Sequence, residues 1–179
     1  MNLPGVYQIF LDKWKDFQTC YIISDTHFND KEVRKNLPNR PQDEDIVKSI
    51  NKKVGKKDVL ILLGDVGDLT FAEKLRGYKI LIAGNHDTGL TAYSKVFNEI
   101  YSGPLIIGEK LILSHEPVNI PWALNIHGHI HGSHHTKEET DDHHLNVCCD
   151  VINYTPVSLN QLLKEGKTAH ITQIGRAHV

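Results

Sequence analysis

Asp25-Thr26-His27, Gly64-Asp65-Val66-Gly67-Asp68, Gly84-Asn85-His86-Asp87, Ser114-His115 and His127-Gly128-His129-Ile130-His131 each gather side chains able to hold a cation. The chain carries 12 histidines in 179 residues, and at that density these spacings signal a metal site. Imidazole and oxygen donors without cysteine suit Mn, Fe, Zn or Ni and disfavour a structural thiolate zinc site. Alternating histidines in an extended segment point the same way, so His129 and His131 share a face. Singly the blocks are weak, because Asp-x-His occurs in many loops and Gly-Asp after a strand is often only a turn. Their weight comes from recurrence at the ends of apolar runs. The expectation is that these tips converge on two divalent ions, with Asp65 shared between them.

The run that organises the rest is Val59-Leu60-Ile61-Leu62-Leu63, which reads as a strand buried on both faces and stops at Gly64-Asp65. Open α/β sheets place ligands just beyond the carboxyl ends of such strands. Cys20 to Ser24, Ile80 to Ala83, Leu111 to Leu113 and Leu124 to Ile126 repeat the pattern. Ile46, Ile50 and Val54 recur at four-residue intervals behind an acidic first turn, predicting a helix over 42–54 that Gly55 stops. Thr70-Phe71-Ala72-Glu73 has capping-box spacing and opens a short helix closed by Gly77. Thr91 to Ile100 reads as another helix, and Asn29 to Pro41, broken by Pro38 and Pro41, as a loop.

That alternation predicts a mostly parallel sheet layered by helices. In the second half, Leu105 to Ile107 and Lys110 to Leu113 flank Gly108-Glu109 as a β-hairpin. Leu145 to Val151 reads as a further strand, Ser158 to Lys164 as a short capped helix, and Gly132 to Asp142 as a polar loop. Two β-sheets packed face to face with helices outside fit this order, with no internal repeat.

Bulk composition narrows the classes. Hydrophobic and charged fractions of 40% and 23% are those of an ordinary soluble globular chain, and the length suits one domain. A formal net charge of -2 makes nucleic acid a disfavoured partner, since a phosphate backbone needs clustered positive charge. No apolar run approaches the ~20 residues of a membrane span, and the N-terminus has no signal-peptide core. Three cysteines, two of them vicinal, make no disulfide framework, which points to a reducing, cytoplasmic setting. Residues 1–19 read as an accessory segment with a hairpin strand at Val6 to Leu11. Ile174 to Val179 match what a common sequencing-adapter oligonucleotide encodes in one frame. On that reading the native chain ends after about Gln173, and His178 takes no part in a site.

In this order, Asp25-x-His27, Gly64-Asp65-x-x-Asp68, Gly84-Asn85-His86-Asp87, His115 and Gly128-His129-x-His131 resemble the motif set of the calcineurin-like metallophosphoesterases. The resemblance runs from about Tyr21 to Ser158. The text around Ser24 to Phe28 and Leu113 to Pro117 is similar to small single-domain members from bacteria and phages. It implies an α/β fold, a four-layer αββα sandwich of two mixed β-sheets flanked by helices, over residues 20–173. By position, one metal takes Asp25, His27 and His131, the other Asn85, His115 and His129, and Asp65 bridges. Asn85 is also a candidate substrate contact.

The implied activity is hydrolysis of a small phosphomonoester or phosphodiester. A hydroxide bridging two divalent ions ~3.5–4 Å apart attacks phosphorus in line. Two such ions against two carboxylates leave a local charge of about +2, which attracts phosphate. His86 matches the histidine that assists the leaving group, and Asp68 the acid that orients it. For Asp68 an ordinary turn carboxylate is the alternative. Asp87 reads as structural, holding its loop through an Asx-type turn.

Two departures bear on substrate choice. Leu69 stands where the family often has Arg, and Asn29-Asp30 follow Phe28 where similar small members commonly read Gly-His. Arg40 is a candidate phosphate contact from the first loop, or else a solvated arginine. His134, His135, His143 and His144 read as solvated, with an accessory metal role as the alternative. One of Cys148 and Cys149 is expected to face the core. A catalytically silent metal-binding scaffold of the same fold and a metal-dependent nuclease are the competing functions. The filled ligand positions favour the enzyme.

Overall fold

In the computed structural model, residues 19–107, 111–132 and 143–164 are described. Leucine and β-branched residues build β1 (Cys20–Ile23), β2 (Val59–Leu62) and β3 (Tyr78–Ile82). These three pair in parallel, with Ile22 opposite Ile61 and Ile61 opposite Ile80. Two shorter strands complete this first sheet: β4 (Glu99–Tyr101) lies parallel to β3, and β9 (Val157–Ser158) lies antiparallel to β1. Its order is β4-β3-β2-β1-β9. The second sheet runs β5 (Leu105–Ile107), β6 (Leu111–Leu113), β7 (Leu124–His127) and β8 (His144–Asn146), with β5 antiparallel and the rest parallel. Both sheets are therefore mixed, and helices flank them.

Side-chain alternation along β2 divides the core. Val59, Ile61 and Leu63 enter the layer between the sheets, against Leu113, Ile126 and Val147. Leu60 and Leu62 face the other way, onto α2 (Asp43–Lys53) and α3 (Leu69–Ala72) through Ile46, Ile50 and Ala72. Each fully buried Leu or Ile contributes about 1.5–3 kcal/mol, and β2 is buried along its whole length. The strand tip carrying Asp65 is thus fixed by packing on both faces.

The sheets also meet through the backbone. Ser24 N donates to Val147 O at 3.0 Å and Cys149 N donates to Ser24 O at 2.9 Å, a parallel bridge between the continuation of β1 and that of β8. This seam brings the carboxyl ends of both sheets to one place, beside Asp25.

Several local expectations are corrected. The segment 91–100 is a single 3-10 turn, Tyr93–Lys95, followed by β4. Tyr93, Val96 and Phe97 are buried there, so the apolar residues of the expected helix serve this compact turn. The expected loop 29–41 holds α1 (Lys31–Asn36), whose N-cap Asp30 accepts from Glu32 N and Val33 N. None of its residues is buried, so it leaves no apolar signature in the sequence. The short helix opens at Leu69 with Asp68 as its cap, not at Thr70. β8 is shorter than the expected strand, because the chain turns at Cys149. The helix near the end of the described chain, α4 (Leu159–Lys164), packs on β1 and β9. No described helix is long and apolar enough to cross a membrane. The N-terminal hairpin, the Gly108-Glu109 turn, most of the Gly132 to Asp142 loop with His134 and His135, and the adapter-like end lie outside the described residues.

Candidate metal centre

Asp25 and His27 follow β1, Asp65 follows β2, Asn85 and His86 follow β3, His115 follows β6, and His129 and His131 follow β7. These tips meet. One carboxylate oxygen of Asp65, Oδ2, lies 3.4 Å from His27 Nε2 and 3.4 Å from His115 Nε2. On the first side, Asp25 Oδ1 is 3.9 Å from both His27 Nε2 and His131 Nε2. On the second, His115 Nε2 is 2.8 Å from Asn85 Oδ1 and 3.1 Å from His129 Nδ1. Ligand atoms of Asp25, His27 and His131 all lie within 4.8 Å of one another, as do those of Asp25, Asp65 and His115. The seven residues proposed as ligands from the sequence are therefore brought together, with Asp65 between the two groups.

Burial makes this arrangement costly without a cation. Asp25 is 1% exposed, Asp65 3% and His27 4%. Asp25 Oδ1 and His27 Nε2 are buried with no hydrogen-bond partner among the described residues. A buried polar atom left so costs roughly 1–3 kcal/mol, and two facing each other mark a place for a missing ligand. The donor set of carboxylate, imidazole and amide fits a divalent transition metal.

Three imidazoles are aimed by their other nitrogen. His27 Nδ1 is held by Asp30 Oδ2 at 3.1 Å, His115 Nδ1 donates to Leu63 O at 2.8 Å, and His131 Nδ1 is held by Asp150 Oδ1 at 2.9 Å. Each contact places the proton on Nδ1 and turns the Nε2 lone pair inward, as metal-binding histidines require. Burial lowers the His27 pKa, against the pull of Asp25 and Asp65. For His131 the hydrogen bond to Asp150 dominates and raises it. Burial alone would raise the Asp150 carboxyl, but bonds from His131, Cys148 and Gly132 N hold it well below the usual carboxylate range.

The backbone is unusual at the same residues. Asp25, His27, Asp65 and His129 have φ of 58°, 36°, 53° and 69°. This left-handed region costs a non-glycine residue on the order of 1–2 kcal/mol, and clusters of such residues mark functional sites. Asp87 holds one of these turns as expected: its carboxylate accepts from Asp65 N, Val66 N and Gly84 N at 2.8, 3.0 and 2.9 Å. Gly128 and Gly84 are required by close approach. A Cβ on Gly128 would overlap Asp25 Oδ2 and Ser24, and one on Gly84 would overlap the Asp65 carboxylate.

His86 stands at the open side of the centre. Its backbone N donates to Asp65 Oδ1 at 3.0 Å, and its exposed ring meets the His27 ring edge-on at 5.5 Å. Asp68 is not its partner among the described contacts. Its Oδ1 accepts from Thr70 N and Thr70 Oγ1, and its Oδ2 accepts from Asn29 Nδ2. Those bonds, led by the Thr70 amide, lower its pKa and make Asp68 the cap of α3.

Arg40 is likewise corrected, for it neither reaches the open site nor faces solvent. It is 5% exposed, donates to Thr26 O between two ligands, reaches Cys149 Sγ at 3.5 Å and stacks on Tyr154. His144, expected in solvent, is buried in β8 with its ring 5.9 Å from that of His127. Cysteine is nearer the tips than expected. Cys148 Sγ donates to Asp150 Oδ1 at 2.8 Å and lies 3.4 Å from His131 Nδ1. Cys149 Sγ donates to Asp25 O at 2.9 Å. Burial pushes the Cys149 thiol up to about 12 and Cys148 well above its ordinary value, so both are protonated hydrogen-bond donors and neither is a nucleophile.

Asp150 and Asp30 are the functional residues that sequence reasoning missed. Asp150 ends an apolar strand-like run, the same signal that picked out Asp65. Its replacement by alanine is expected to weaken Mn2+ binding about 10–100-fold, measured by calorimetry on metal-free protein. An unchanged affinity would show that the Asp150–His131 contact aims nothing.

The sequence profile of the calcineurin-like phosphoesterases matches residues 19–173. An uncharacterized protein of Methanocaldococcus jannaschii is 32% identical over 166 residues, 80% of this chain and 89% of that one. The crystal structure of a protein of unknown function from Aquifex aeolicus superposes with a TM-score of 0.69 at 27% identity, covering 82% of this chain and 98% of that one. A nuclease of Pseudomonas putida overlaps less, with a TM-score of 0.40 at 18% identity over 63% of this chain and 61% of its own. That overlap is too slight to bear on activity. With the profile matched across both sheets and every strand tip of the centre, this chain belongs to the calcineurin-like phosphoesterase family.

Proposed function

We propose that the protein is a metal-dependent phosphoesterase that hydrolyses a phosphomonoester or phosphodiester bond of a small substrate. The observation that carries this reading is the pair of buried, unpartnered atoms, Asp25 Oδ1 and His27 Nε2, facing an Asp65 oxygen equidistant from two imidazoles. Divalent ions held by Asp25, His27 and His131 and by Asn85, His115 and His129, with Asp65 common to both, would supply an activated water and neutralise phosphate charge. Mn, Fe, Zn and Ni all suit those donors.

The chain's own residues supply the rest. Asp30, Leu63 O and Asp150 hold three imidazoles in one tautomer, with Nε2 turned toward the place a metal would take. His86, exposed beside His27, is positioned to donate a proton to the departing oxygen. Among the described residues the Asp68 carboxylate is engaged by Thr70 and Asn29, and no contact ties it to His86. A nucleic-acid strand would need clustered positive charge, and the formal net charge of -2 favours a small phosphorylated substrate instead. The reduced thiols of Cys148 and Cys149 suit a reducing compartment such as the cytoplasm.

The test is turnover of chromogenic mono- and bis-aryl phosphates by Mn-reconstituted protein, with an alkyl phosphate alongside. His86→Ala is expected to lower kcat about 100-fold on the alkyl ester, with KM little changed. The loss should be far smaller on p-nitrophenyl esters, whose leaving group departs without a proton. Equal rates for wild type and variant on both esters would remove His86 from the mechanism. No turnover of any ester would remove the reading itself.

A further inference from the structure

A cavity of about 280 Å3 lies beside the metal centre, and of the centre's residues only Asn85 and His115 line it. His27, His86, His131 and Asp25 do not. Ala83, Pro104, Pro117 and Val118 give it apolar walls, and Glu116 is the one carboxylate among its described lining residues. No Lys or Arg lines it among the described residues. A cavity of about 150 Å3 accommodates benzene, so this one takes an aromatic ring with its linking atoms.

Its placement relative to His86 decides what it holds. In an in-line displacement the attacking and departing oxygens lie on opposite sides of phosphorus. His86, the proton donor to the departing oxygen, packs on His27, away from the cavity lining. A group seated in the cavity is therefore a different substituent, one that phosphorus keeps. A monoester has no such group. Resting on the phosphoesterase reading above, we propose that the substrate is a phosphodiester whose retained substituent is an uncharged, ring-sized group seated between Pro104, Pro117 and Val118. Water adds to phosphorus and gives up a proton to solvent, the ester P–O bond opposite it breaks, and the departing alkoxide takes its proton from His86, which solvent then reprotonates. The products are one alcohol and a monoester that still carries the ring. Glu116 disfavours a second anionic group in the cavity, which sets the substrate apart from polyphosphates and polynucleotides.

Gly103 provides the test. It lines the cavity, a Cβ there would meet nothing within 4 Å, and it is not among the glycines of positive φ. Gly103→Leu therefore adds bulk at the cavity lining without straining the backbone, and a thermal melt checks that it folds. With Mn-reconstituted proteins, wild type is expected to prefer bis(p-nitrophenyl) phosphate over p-nitrophenyl phosphate. The variant should raise KM for the diester about tenfold while monoester turnover stays near wild type. Equal losses on both esters, or an unaffected diester, would overturn the assignment. Should wild type hydrolyse neither, the phosphoesterase reading falls, and calorimetric titration with diphenyl phosphate still decides the cavity. Affinity about tenfold weaker in the variant supports it, and equal affinities overturn it.

Discussion

Asp65→Asn is expected to lower aryl phosphate turnover by about 1000-fold or more, since it removes a charge that serves both metal positions. The substitution keeps shape and volume. Its backbone ties to Asp87 and the packing of β2 on both faces are untouched, so the loss should be chemical and the fold intact. An amide replaces a carboxylate whose Oδ2 sits 3.4 Å from imidazoles of both groups. Bound metal, measured by elemental analysis after desalting, should fall below that of wild type. Wild-type metal content together with wild-type kcat would refute the shared-ligand arrangement.

Gly128→Ala should fail in the opposite way, through structure before chemistry. The added methyl would press on Ser24 Oγ, which donates to Leu63 O, and on Asp25 Oδ2, which accepts from His129 N. None of these can retreat, because Ser24 forms the seam between the sheets. Overpacking of this kind costs about 3 kcal/mol, read as a lower urea midpoint at unchanged slope. Metal binding should be lost with it. Gly103→Ala, whose methyl enters open space, is the control and should unfold like wild type. A Gly128→Ala protein as stable as that control would mean the tips have more freedom than the packing implies.

How much of this was legible in the sequence depended on how each signal was written. β2 and the tip at Asp65 were readable because burial on both faces leaves an unbroken apolar run, and a carboxylate ending it has little else to do there. The two sheets followed from the order of such runs. The turn at Tyr93–Lys95 misled because Tyr93, Val96 and Phe97 imitate a helical stripe within less than two turns, and only pairing with β3 makes Glu99–Tyr101 a strand. α1 escaped notice because it buries nothing. Arg40 was misjudged because loop arginines usually reach water, and its burial depends on a long-range pocket formed by Thr26, Cys149 and Tyr154. Asp150 was legible in principle as another strand-tip acid. Asp30, by contrast, shares its carboxylate between capping α1 and holding His27, and no local pattern announces the second task.

The seam between the sheets has a mechanical corollary. Asp25, Asp65 and Asn85 belong to one layer of the sandwich, and His115, His129 and His131 to the other. A cation gripped from both sides would rivet the two halves, so resistance to heat or urea would become a property of the loaded protein and track the free ion concentration. Chelation would then unfasten the architecture as well as silence the chemistry.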